Sequence, residues 1–580
     1  MKNLIFSLCL LLLTSCGNDN VVNNSALSYV ESNKIKDYID SCAKQQKTVD
    51  IKSKFGTNLK GVKLVSVNLS GSDLSGVDFS GAEMSRVDFS NCNLNNAKFF
   101  GATIQESDFS GVVFNNFQAE NVDFQASVFH KSKFVNSKFS YCNFEEAEFR
   151  ESVIQNSIFD KVNLSNSIIQ DIVIENSDFQ KANLLASSFT NVNIKNTAFF
   201  GVDLRQAVIS NVIALSCSFE SSDLSQVNFK NGNFEKNDFS QAILDDAKFE
   251  GETKFLSCLF SSASLKRVLF DKVSINKCDM NDSILSSSVI KDSRIQDTYM
   301  DNVKFAGSNL TNLYMDNVSI TYGDFDKSNL KNLKVSNSNF NNVVFSNSII
   351  NNTEFINVNF VQAFFEKYNI EDSSFKNSDL SKAIFMGGFI KRTDFTANKI
   401  DQIAFINSSL EEGVFNNSPF SNSQIRNVSS LATVIVNSPF SHGIFIDNKG
   451  LVNMAITNSY NSIEDLLNSR DLSNLNIAYM DFSELQLKEV IFTGSILQGT
   501  KMLNSKCISC LFKNVDFSKA DLFKTDLSGS EITDTDFKNT TLNETDLSST
   551  KLNNLDFKRS FINNIKTKNA VLFSVTGIDN

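Results

Sequence analysis

From Leu59 to Leu572 a large apolar residue stands at every fifth position, and nothing else in the 580 residues constrains the fold as tightly. Between Leu59 and Phe249 only Ala119 and Ala214 depart from Phe, Leu, Ile or Met. Between Phe255 and Phe445 Ser430 is the one polar residue and Val335 the one valine, and between Leu472 and Leu572 the weak positions are Cys507 and Thr567. Five helical residues turn through roughly 500°, so the apolar set would spiral around a helix instead of forming a face. In a flat strand, residues five apart point to opposite sides. The period fits a chain that turns a corner every five residues, four sides closing a square coil of 20.

The residue two before each centre then also points inward and has to be small. Ala82, Ala97, Ala102, Ala126, Ala147 and Ala182 are read in that slot. Residues 20 apart should stack: Phe139, Phe159, Phe179, Phe199, Phe219 and Phe239 make one column, and Phe305, Phe325, Phe345, Phe365, Phe385 and Phe405 another. Stacked at strand spacing, ~25 coils predict a rod on the order of 120 Å, whose stability is a sum of neighbour terms.

Stretches such as Val87-Asp88-Phe89, Ala182-Asn183-Leu184 and Ala520-Asp521-Leu522 resemble the pentapeptide-repeat family. The resemblance implies an all-β solenoid, a right-handed quadrilateral β-helix, over most of the chain. It implies no function, because that family does unrelated things.

The organisation follows from the ends and interruptions. Residues 1–15 read as a signal peptide, with Lys2 before the apolar run Leu4 to Leu13, too short to span a bilayer. Leu13-Thr14-Ser15-Cys16 resembles the lipobox of bacterial lipoproteins, which implies cleavage before Cys16 and lipidation of Cys16. Gly17 stands where inner-membrane lipoproteins often carry Asp, so the resemblance implies a bacterial envelope protein held by lipid, at the outer membrane rather than the inner. Residues 16–24 form the tether. Residues 25–50 predict a short capping helix, with Leu27, Val30, Ile35, Tyr38, Ile39 and Cys42 along one face; it covers a strand edge that would otherwise invite aggregation. Repeat blocks occupy 51–250, 251–445 and 472–580. The six-residue step from Phe249 to Phe255 predicts a bulge in Gly251 to Lys254. Residues 446–471 form an insertion or joint carrying a short helix begun at Ser462, and its protruding Asp447, Glu464, Asp465 and Asp471 are the candidate partner contacts. The C-terminal edge, lacking a helix, is a candidate homodimer contact.

Of ten cysteines, Cys92, Cys142, Cys217, Cys258, Cys278 and Cys510 fall in the small inward slot and read as core filler. Cys258 and Cys278, on adjacent coils, are within disulfide range and are the pair to bridge if any bridge forms. Cys507-x-x-Cys510 has redox or metal spacing, but both positions face inward. The two histidines, His130 and His442, lie on unrelated outward positions, against histidine metal sites and Ser-His-Asp catalysis. There is no phosphate or dinucleotide motif, Gly387-Gly388 reads as close packing or a bend, and the cluster Glu145, Glu146, Glu148 and Glu151 reads as a solvated corner. Neither cofactor nor metal is expected.

The net charge is −11, concentrated in residues 55–250, where 24 acidic face 15 basic side chains. The reading is a non-enzymatic, lipid-anchored envelope scaffold for protein or glycan contacts, with no basic stripe for nucleic acid. One alternative is an acidic DNA mimic acting on a type II topoisomerase through residues 55–250, a role the resembling family includes. A second is a glycan-active β-helix enzyme.

Overall fold

The computed structural model describes residues 27–431 and 482–578, and between them 433–436, 438, 440–441, 444–446, 451–452, 455–457, 472–473 and 477–478. The chain divides into two units, one ending at Ala182 and one starting at Asn183. Each is an all-β solenoid.

The side of five residues works as the period demands. In Val77 to Gly81, Val77 and Phe79 are buried, Asp78 and Ser80 partly exposed, and Gly81 turns the corner in the left-handed region at φ 67°. The Phe79 N–H donates to the Lys98 carbonyl of the next coil at 2.7 Å and the Asp78 N–H to the Thr57 carbonyl of the preceding one at 2.8 Å. The left-handed position recurs two residues after each centre, and Asn is frequent there, as at Asn91, Asn136 and Asn312, because its short amide tolerates that backbone. Ala126 is such a corner, at φ 55°, because it follows Phe124 by two; the expectation of an inward Ala126 is corrected.

Sides are of two kinds. After a turn side the next inward N–H bonds back three residues, as from Ala82 to Phe79 at 2.9 Å, and an Asp or Asn before the centre accepts the N–H two residues on, as Asp78 does from Ser80 at 3.0 Å. After a strand side that back-bond is missing, and a buried hydroxyl one coil on takes the N–H. Phe117 donates to Ser137 at 3.0 Å, Ser137 to Ser157 at 3.1 Å and Ser157 to Ser177 at 3.1 Å. The inward slot is therefore small and often hydroxylic, since an unpaired buried N–H is costly.

In the first unit, strands pair in parallel with a 20-residue offset, Leu64 with Met84 and Met84 with Ile104. Helix α1 (Tyr29–Lys44) opens it, capped by Ser28, whose hydroxyl accepts the Glu31 N–H while the Glu31 carboxylate accepts the Ser28 N–H. Ile35, Ile39 and Cys42 are buried, and Ser32 accepts the Lys63 N–H of the first coil at 3.0 Å. Val30 points away, 62% exposed, and Tyr38 instead packs edge-on to Phe55 of a second short helix, α2 (Ile51–Phe55), with ring centroids 5.5 Å apart. Ala119, small at a centre, is offset by Phe117 in the adjoining small slot, fully buried 5.1 Å from Phe114.

In the second unit the rings of Phe199, Phe219, Phe239 and Phe260 stack at 4.9, 5.0 and 4.9 Å. Those of Phe305 to Phe405 stack likewise. Each such ring contributes about 1.5–3 kcal/mol by burial. The extra residue near Gly251 lengthens one coil to 21, pairing Asn233 with Lys254, after which Lys254 pairs with Ser274 at the usual offset. Gly388 is close packing, as expected: Tyr368 occupies an inward slot, donates to the Ser408 hydroxyl at 2.9 Å, and lies where a Cβ on Gly388 would meet its ring at 2.5 Å. At the end of the described coils, strand Val571–Thr576 leaves Leu572 and Val575 half-buried and Phe573 exposed.

Candidate functional site

Cys16, His442 and the insertion residues Asp447, Glu464, Asp465 and Asp471 lie outside the described residues. Of the remaining sequence-nominated residues, the structure brings Cys258 beside Cys278 and Cys507 beside Cys510. Cys258 and Cys278 stack as expected but remain thiols, and the expectation of a bridge there is corrected. Each sulfur is spent on the backbone: Cys278 Sγ accepts the Cys258 N–H at 3.4 Å, as serine does elsewhere in these columns, and Cys258 Sγ donates to the Phe234 carbonyl at 3.3 Å. Parallel neighbours also aim their Cβ atoms the same way, and the two thiols meet through a hydrogen bond instead of closing a bridge.

The bridge is Cys507–Cys510, with Cα atoms 5.7 Å apart. Both side chains are buried, and they are the inward residues on either side of one corner, turned by Ser509 at φ 57°. Burial pushes the Cys92 and Cys142 thiols up to about 12 and Cys217 up to about 11, which leaves them as unreactive packing.

The acidic corner is a mixed one. Arg150 donates to Glu148 at 3.0 Å, and Glu151 lies 3.6 Å from Lys131 and 3.4 Å from His130 Nε2. Ion pairs one coil apart recur: Lys63 with Glu83 at 2.8 Å, Lys291 with Asp271 at 2.9 Å, Lys391 with Glu411 at 2.6 Å. The Arg392 guanidinium, 2.6 Å from Asp372, holds that carboxyl below its usual range. Lys52 of α2 pairs with Asp73, and with the hydroxyl and N–H of Ser75 it brings that carboxyl down to about 2. Among the described residues no three His, Cys, Asp or Glu side chains cluster to hold a metal, and no helix is long and apolar enough to cross a membrane.

What the outer faces do offer is shallow grooves. In the first unit one is lined by Lys138, Ile158, Asp160, Lys161, Asp178 and Lys181, with Lys161 also 4.6 Å above the Tyr141 ring. In the second unit a groove of about 410 Å3 runs beside the corner row Asp297, Asn317, Asn337 and Asn357 and the adjoining row Tyr299, Ser319, Asn339 and Asn359. The corner and turn positions that line the second groove favour Asn throughout the repeat, so their asparagines did not stand out in the sequence; the signal available was the recurrence of Asn at 20-residue spacing in two adjoining rows.

The pentapeptide-repeat family model matches eight stretches: 55–91, 85–116, 127–166, 167–206, 216–251, 324–366, 497–529 and 504–539. The repeats in those stretches match pentapeptide repeats. No curated protein matches. Among solved structures, HetL from the cyanobacterium Nostoc sp. strain PCC 7120, a pentapeptide repeat protein involved in heterocyst differentiation regulation, is 14% identical over 41% of this chain and 91% of its own, with a TM-score of 0.23. Full-length QnrB1, a plasmid-mediated fluoroquinolone resistance protein, is 12% identical over 38% and 92%, with a TM-score of 0.13. A pentapeptide repeat protein of the Arabidopsis thaliana thylakoid lumen is 22% identical over 17% and 60%, with a TM-score of 0.13.

Proposed function

We propose that this chain, built of pentapeptide repeats, is a non-enzymatic envelope protein anchored by lipid on Cys16, whose coils hold polar faces out to contact another envelope protein or a glycan. The observation that carries the reading is the filled interior of each unit: the large and small inward residues are buried from Leu59 to Ala182 in the first and from Leu184 to Phe415 in the second, so recognition belongs to the outside. The Leu13-Thr14-Ser15-Cys16 sequence supplies the address. The Cys507–Cys510 bridge supports export, since disulfides persist in oxidising compartments and are rare in the cytosol.

The DNA-mimic alternative is weaker on two counts. Export separates the chain from a topoisomerase, and Asp78, Asp88, Asp108 and Asp123 in the acidic block serve as turn acceptors. A cytosolic pool of the native protein would revive it, and turnover of envelope polysaccharide by the purified chain would revive the enzyme alternative. A homodimer through the C-terminal coil is part of the proposal. The test is crosslinking in the native envelope followed by capture, with 447–471 deleted in a parallel sample. A partner lost with the deletion makes the insertion the contact; no crosslinked protein or glycan in either sample overturns the scaffold.

A further inference from the structure

From the Tyr299 and Asn339 groove we infer a binding site for a neutral polysaccharide strand lying along the coil axis. The inference rests on the scaffold reading above and names its partner's chemistry. The two rows repeat at strand spacing, so the groove presents polar groups every ~4.8 Å over about 14 Å.

Each row is braced from within. Asn317 Nδ2 donates to Asp297 at 2.7 Å, Asn357 Nδ2 to Asn337 at 3.1 Å and Asn359 Nδ2 to Asn339 at 3.0 Å. The Oδ1 atoms of Asn359 and Asn339 also accept the Val361 and Asn341 N–H groups at 3.0 and 3.3 Å. These bonds fix the amide planes and use one of the two hydrogens on each donating nitrogen, leaving the second to a ligand. Tyr299 closes one end of its row with 62% of its surface exposed, a ring face on which the C–H face of a sugar can lie.

Elimination narrows the ligand further. The groove lining contains one carboxylate and no cation, which disfavours nucleic acid and anionic glycans. A protein partner drying this surface would have to match every amide or leave it buried unpaired, at a cost of about 1–3 kcal/mol each. Sugar hydroxyls both donate and accept, and recur at regular intervals, so a neutral glycan can meet rows of amides.

The test uses the full processed chain in native gels containing dextran, laminarin or galactomannan, with alginate as the anionic control, and compares a Tyr299→Ala, Asn339→Asp, Asn359→Asp variant. The aspartates keep the turn acceptors, remove the donors and break the Asn359 to Asn339 rung, so a small fall in melting temperature is expected and a transition that stays complete and cooperative shows that the fold persists. At least one neutral polymer should retard the native chain, and the variant should bind it at least tenfold more weakly. Retardation by alginate alone, by no neutral polymer, or equally for both proteins overturns the site. If it falls while crosslinking still captures an envelope partner, only the groove is wrong; if both fail, the scaffold reading goes with it.

Discussion

At the scale of the residue, the fold depends on which slot a side chain occupies. Phe219 is stacked between Phe199 and Phe239, so Phe219→Asp buries a charge with no partner, and the second unit should lose several kcal/mol, seen as a lower and broader melting transition. Gly388→Ala should cost about 1–3 kcal/mol by overpacking against Tyr368, and Tyr368→Ser should relieve most of that in the double variant, a coupling that denaturant melts of all four proteins measure. Asn332 stands in a left-handed corner, donating to Asn312 and accepting from Asn352 at 2.9 Å each. Asn332→Ala should cost about 1–2 kcal/mol from backbone strain plus the lost rung, and Asn332→Gly less. The inward columns were legible in the sequence because they obey one period. The swap of Phe117 for Ala119 and the fit of Tyr368 over Gly388 were not, because volume is conserved between neighbouring slots and not within one.

At the scale of the element, α1 and α2 are held to the first coils by a buried apolar stripe and by Lys52 on Asp73. The sequence showed the stripe but widened it to Val30, since helical spacing alone does not say how far the coil's edge reaches. The folded pKa of Asp73, about 2, lies below its ordinary value. Its contribution is therefore present above the ordinary carboxylate range and is lost as pH falls from about 4 to 2. Hydrogen exchange in Ile51–Phe55 should accelerate over that interval, and an Asp73→Asn variant should already exchange fast at neutral pH. The possible pair that the sequence offered, Cys258 and Cys278, is not the one that bridges, for a reason that belongs to this scale. Stacked cysteines look close, yet in a parallel ladder each thiol does a serine's work, whereas two inward slots around one corner converge. Thiol titration of the denatured chain should find two more groups after reduction than before.

At the scale of the whole molecule, the repeat carries the fold and leaves the outer faces free to differ. The candidate groove was illegible for that reason: Tyr299 and its asparagines satisfy the coil like dozens of other outward residues, and what sets them apart is two adjoining polar rows lining one groove beside an exposed ring. The proposed envelope address rests on the first residues, with the Cys507–Cys510 bridge in support. The most direct test of the account is therefore palmitate labelling and fractionation of cells expressing the native chain or Cys16→Ala. The account predicts labelled native protein in the membrane fraction and an unlabelled, released variant; native protein that takes no label, or a variant that stays on the membrane, would contradict it.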